Sequence, residues 1–167
     1  MFGSGEAVTG IRKELFDVLN KSSNPWNNLS SKIVIYGPND DDAPNNAFQI
    51  TYIGEKLGVG VGGKTQGLNN YNNEVLSDKN WDKVSISINT SEYFTSVCDN
   101  DKVSTILHEL GHALKLAHPN DPAGSPVYPD SNSVCSIMNG GSVVDDAYLA
   151  CLYPKMHDII NLKNKWK

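Results

Sequence analysis

The chain has no run approaching the roughly 18 apolar residues of a membrane-spanning helix, so no such span is expected. It also lacks an excess of positive charge. Fourteen Lys and Arg stand against 19 Asp and Glu, a net charge of −5. That balance argues against nucleic acid as a partner. The opening residues, MFGSG (1–5), carry neither a cationic n-region nor an apolar h-region, so no signal peptide is read there. They read in part as an expression remnant. The chain is expected to start inside a longer precursor that has shed a latency segment. Cysteine is scarce: Cys98, Cys135 and Cys151 allow three reduced thiols, or one disulfide and one thiol in three pairings. A Cys135–Cys151 bridge would brace the loop between them, but the sequence does not choose.

Histidine is also scarce, and its placement is uneven. Three of the four fall in TILHELGHALKLAH (105–118), as His108, His112 and His118; the fourth is His157. On a helix, positions i and i+4 share a face, so His108 and His112 can aim at one point. Glu109 is rotated by about 100° from His108, so it reaches the ion's open side rather than the ion itself. His118 lies six residues after His112, about 9 Å further along a straight helix. That is too far to share an ion with bonds of about 2.0–2.1 Å, so the chain must leave the helix and turn back. Three neutral imidazoles leave one of four positions open, the pattern of a catalytic zinc rather than a structural one. Water there would have its pKa lowered toward about 7. Val103, Leu107, Leu110 and Leu114 form an apolar stripe on the other face, and Asp99, Asn100 and Asp101 are N-cap candidates.

The 167 residues suit one domain, 1–167, with 39% hydrophobic and 20% charged residues, ordinary globular material. Residues 6–20 have the spacing of an amphipathic helix, and Pro25 marks a loop in which Trp26 is a packing anchor. KIVIY (32–36) and AFQITYI (47–53) read as strands. Between them Asp40, Asp41 and Asp42 offer oxygen ligands for calcium, without the spacing of a dedicated loop; a solvated turn is the expected state. LGVGVGG (57–63) reads as an edge strand that could template an extended peptide, or equally as a glycine loop. TQGLNNYNNEVLSDKN (65–80) reads as a long polar connection. WDKVSISINT (81–90) alternates Val84, Ile86 and Ile88 and is the clearest strand. Residues 119–133 form a loop. SIM (136–138) places Met138 in a tight turn. The closing segment 154–166 predicts a helix with Pro154 at N1 and Lys163 and Lys165 in its last turns.

HELGHALKLAH (108–118) followed by SIM (136–138) and a helix resembles the signature of metzincin zinc peptidases, small bacterial matrixin-like ones in particular. The resemblance implies an α+β, zincin-like fold. A twisted mixed sheet and the active-site helix would lie above a shallow cleft, with a C-terminal helix after a Met-turn below it. It implies one zinc ion on His108, His112 and His118, Glu109 as general base, and Met138 as an apolar floor that does not bind. It further implies a secreted monomer acting on protein or peptide. The family's glycine between the second and third His falls on Lys115, which costs about 1–2 kcal/mol if the backbone is left-handed there. Gly140 occupies the position where some members carry a stabilising tyrosine. His157, Tyr128, Tyr148 and Tyr153 are the remaining candidates for oxyanion support.

Glutamate is absent from the chain after Glu109, which excludes a downstream glutamate as third ligand. Asp121, Asp130, Asp145, Asp146 and Asp158 have the right chemistry, but His118 is better placed. A deformylase-like site would call on Cys98, without its surrounding motif. A catalytically silent, zinc-stabilised peptide-binding module is the alternative function on the same fold.

Overall fold

The computed structural model describes residues 17–37, 41–44, 47–91, 97–118, 136–138 and 152–166. The helix expected over 6–20 lies outside these apart from its end. There, a 3₁₀ turn at 17–19 places Leu19 fully in the core. The described architecture is α+β: a three-stranded mixed sheet and two helices. Strands β1 (Gln49–Glu55), β2 (Gly63–Leu68) and β3 (Lys83–Asn89) lie in the order β1-β3-β2. β1 runs parallel to β3 and β2 antiparallel to it. No helix among the described residues is long and apolar enough to cross a membrane.

Pairing register sets the faces of the sheet. Tyr52, Ile86 and Thr65 form one row across it, and Gly54, Ile88 and Gly63 the next. β3 supplies the central apolar column, with Val84, Ile86 and Ile88 at most 1% exposed. This is the alternation expected for that strand. Helix α1 (Asp99–Ala113) packs on the same face, through Ile106, Leu107 and Leu110, all fully buried. It contacts β2 as well as β3, so it leans over the sheet's edge. Trp26 is buried completely, as expected of an anchor, and its indole N–H donates to the Leu107 carbonyl at 3.1 Å.

Five expectations are corrected. The run 57–63 is not a strand: Gly60 has φ +79° and Val59 is 93% exposed. Asn89 holds this loop, accepting from Leu57 N–H and donating to the Val61 carbonyl. The strand begins at Gly63, the last residue of that run, and continues to Leu68 in the stretch read as a polar connection, because the inward residues of β2 are Gly63, Thr65 and Gly67 rather than apolar ones. Small residues are required there. A Cβ on Gly67 would lie 2.1 Å from Trp81 ring atoms.

The segment 33–37 alternates burial like a strand, with Ile33 and Ile35 buried and Val34 exposed, yet joins no ladder among the described residues. The Asn27 side chain takes the place of a neighbouring strand. Its amide donates to the Ile35 carbonyl at 2.9 Å and its oxygen accepts from Ile35 N–H at 2.7 Å. At the start of α1 the N-cap is Cys98, not an acidic residue. Asp99 and Asp101 fall inside the first turn, where they favour the helix dipole. In the last helix, α2 (Met156–Lys165), the N-cap is Lys155, so Pro154 sits one residue before it. Proline could not have served at the cap, because the Lys155 N–H donates to Asp158 Oδ2 at 2.8 Å.

Of the calcium candidates, Asp42 is taken by Lys21 at 2.6 Å. Asp40 lies outside the described residues. So do Cys135 and Cys151, leaving Cys98 as a described free thiol.

Because Trp81 covers Gly67, Gly67→Ala is expected to destabilise the fold by about 1–3 kcal/mol. The urea midpoint measures it; an unchanged midpoint would mean that the ring moves aside freely.

Candidate metal centre

The three histidines converge. Nε2 atoms of His108, His112 and His118 are 3.1 Å apart in all three pairs. They form a group that could hold a metal ion, and among the described residues it is the sole such group of His, Cys, Asp or Glu. Four-coordinate zinc with bonds of about 2.0–2.1 Å sets neighbouring donors about 3.3–3.4 Å apart. The observed triangle is within a few tenths of an ångström of that.

Hydrogen bonding fixes which nitrogen each ring presents. His108 Nδ1 lies 2.7 Å from the Ile137 carbonyl and His112 Nδ1 2.8 Å from the Leu116 carbonyl. A carbonyl only accepts, so in both rings the proton is on Nδ1 and Nε2 carries a lone pair. Two such lone pairs at 3.1 Å cannot hydrogen-bond to each other; a cation between them resolves the contact. Burial, and after it the neighbouring His112, pulls the His108 pKa down to about 4, so the ring is neutral near pH 7, the state a metal requires. The donor set therefore fits a divalent metal, and the carbonyls hold the rings as metal-ligating histidines are commonly held.

The turn that delivers His118 is a complete Schellman motif. Leu114 is the C-cap of α1, and Lys115 follows with φ +66°. Lys115 N–H donates to the His112 carbonyl and Leu116 N–H to the Gly111 carbonyl, at 2.9 and 3.1 Å. The anticipated left-handed lysine is thus real. Its side chain offsets the strain. Nζ donates to the carbonyls of Lys79 and Ser77 at 2.7 and 3.2 Å and lies 3.0 Å from the Trp81 ring centroid. Burial, then the charge of Lys165, lowers the ammonium's pKa to about 8, with the charge of Asp78 acting against both.

Glu109 is 5% exposed, and Thr65 Oγ1 lies 2.7 Å from its Oε2. A Cβ on Gly63 would lie 2.6 Å from Glu109 Cγ, so glycine is needed for the carboxylate to fit. Burial raises the Glu109 pKa to about 7, with the Thr65 hydrogen bond acting against it. Tyr52, on the same face of the sheet, has its phenol pKa raised by burial and then by Glu109.

Met138 is 1% exposed and packs against α1 at Gly111, where a Cβ would meet its Sδ at 2.2 Å. Beneath the turn lies Asp158, a candidate ligand by its chemistry that has a different role in the structure. Asp158, fully buried, accepts from Ser136 Oγ at 2.5 Å, Ile137 N–H at 3.2 Å and Lys155 N–H at 2.8 Å. It was weighed as a ligand; instead it ties α2 to the segment whose carbonyl orients His108. Its position three residues into a helix that follows a proline was the available signal. Thr65 and Gly63 had none.

Of the candidates for oxyanion support, His157 Nε2 is paired with Asn161 at 2.9 Å and Tyr153 is 66% exposed. Tyr128, Tyr148 and Gly140 lie outside the described residues, as do Asp121, Asp130, Asp145 and Asp146. Comparison with protein-family models, with curated proteins and with solved structures gave no match.

Two outcomes follow from this geometry. Lys115→Ala keeps the left-handed backbone and loses the clamp, so it should cost about 1–2 kcal/mol. Lys115→Gly should cost about 1 kcal/mol less, because glycine has no left-handed penalty. Thermal unfolding of the metal-free protein ranks them; glycine worse than alanine would refute the strain assignment. Zinc at about a thousand times its Kd should add about 4 kcal/mol of stability. For a chain of this size that raises Tm by about 8–16 °C. His118→Ala should lose most of that increment, by calorimetry with and without zinc.

Proposed function

We propose that this chain is a zinc-dependent endopeptidase of the metzincin type, acting on protein or peptide substrates outside the cell. The observation that carries the reading is the triangle of imidazole nitrogens 3.1 Å apart, with a buried carboxylate on the residue after the first. His108, His112 and His118 would hold the ion. When bound there, zinc supplies Lewis acidity, which eases loss of a proton from water and polarises a carbonyl.

The remaining work falls to the chain itself. Glu109 takes a proton from the attacking water and returns it to the leaving amine nitrogen. Burial makes the Glu109 carboxylate a stronger base than an exposed one, which suits it to take the proton. Met138 forms an apolar floor under the ligand helix and keeps its sulfur in the core. Seating two ligands on α1 and the third just past a hydrogen-bonded turn keeps the donor set rigid, which limits reorganisation during the reaction.

The binding-module alternative keeps the ion and dispenses with Glu109. Its burial at 5% exposed favours the catalytic reading, because a carboxylate kept from water without a task is a net cost.

Glu109→Gln should retain one zinc per chain and lose about 10²–10⁴-fold in the cleavage rate of a casein-like substrate. Metal analysis and a chelator-controlled proteolysis assay read the two quantities. Wild-type protein that holds zinc yet cleaves no member of a peptide library would turn the assignment to the binding module.

A further inference from the structure

The Glu109 carboxylate is held by the neighbouring strand, not by its own helix. Thr65 Oγ1 lies 2.7 Å from Glu109 Oε2 and 2.8 Å from the Glu109 main-chain oxygen. The hydroxyl has one proton for two acceptors. The main-chain oxygen sits within α1, where the N–H four residues on already serves it. An ionised carboxylate oxygen forms the stronger, charge-assisted bond. The proton therefore goes to Oε2.

The other oxygen, Oε1, lies over Gly63, where a Cβ would stand 3.0 Å away. Gly63 and Thr65 alternate onto the same face of β2, opposite Ile88 and Ile86 of β3. One strand thus both clears the space for the carboxylate and pins one of its oxygens. Among the described residues no other side chain donates to it. Threonine suits the task because a β-branched side chain is stiff at χ1.

We propose that Thr65 is a positioning residue for hydrolysis: it fixes Oε2, so that Oε1 is the atom that takes and returns the proton. This rests on the reading of the site as a peptidase. Water gives one proton to Oε1 and its oxygen bonds to the scissile carbonyl carbon. The C–N bond breaks, the electron pair goes to nitrogen, and the proton passes from Oε1 to that nitrogen. Thr65 keeps its own hydroxyl proton throughout. Peptide and water become a carboxylic acid and an amine.

The test compares zinc-loaded wild type, Thr65→Val and Thr65→Ser on a quenched fluorescent peptide. Valine keeps the shape and loses the donor; it should lower kcat about 10- to 100-fold through misorientation of the base. KM and zinc content should stay near wild type, and serine should restore most of kcat. A second arm needs no turnover. In metal-free protein, the infrared difference between wild type and Glu109→Gln isolates the Glu109 carboxyl bands. Those bands should move in Thr65→Val and hold in Thr65→Ser. Wild-type kcat in Thr65→Val, or unmoved infrared bands, overturns the proposal. A wild-type protein that cleaves nothing defeats the peptidase reading instead, and the infrared arm still decides whether Thr65 holds the carboxylate.

Discussion

The turn at Lys115 is the constraint on which the rest of the site depends. It ends α1, reverses the chain and brings His118 to the two imidazoles on the helix. The same turn sends the Leu116 carbonyl back to His112 Nδ1. One backbone reversal thus supplies a third donor and fixes the tautomer of the second. A left-handed lysine would be a liability by itself. Here the side chain reaches two carbonyls and an indole on the 69–82 connection, so the strain is offset by contacts with another part of the fold.

Much of this was legible in the residues, for identifiable reasons. The helix, its apolar stripe and the convergence of His108 and His112 follow from the 3.6-residue period. The need for a turn before His118 follows from helical rise. β3 was legible because its alternating apolar residues are the core. β2 was not, because its inward positions are occupied by Gly63, Thr65 and Gly67. Those residues are small so that Glu109 and Trp81 can lie on them, which removes the pattern by which a half-buried strand is recognised. The segment 33–37 had the pattern but not the partner: a side-chain amide from Asn27 satisfied the backbone groups that a ladder would have used. Contacts such as Lys115 with Trp81 join positions far apart in sequence, and no local period encodes them.

Several buried polar groups near the histidines face a partner whose role is fixed. Carbonyls accept from His108 and His112, a carboxylate accepts from the turn around Ile137, and a hydroxyl donates to Glu109. Fixed roles matter because a buried polar group with an ambiguous partner is free to reorient. What this network leaves pointing at the centre is the Nε2 lone pairs of His108 and His112, 3.1 Å apart, with His118 Nε2 at the same distance from both. An ion held there would couple its binding to the folding of these elements.

Asp158 gives that coupling a direction in time. The carboxylate that steadies the Ile137 peptide, and through it His108, belongs to the last helix of the chain. During synthesis all three imidazoles leave the ribosome before it does. A nascent chain thus carries all three imidazoles while one of them still lacks the support that α2 brings. Premature termination just ahead of that helix would leave His108, His112 and His118 all present with the Ile137 peptide unsteadied.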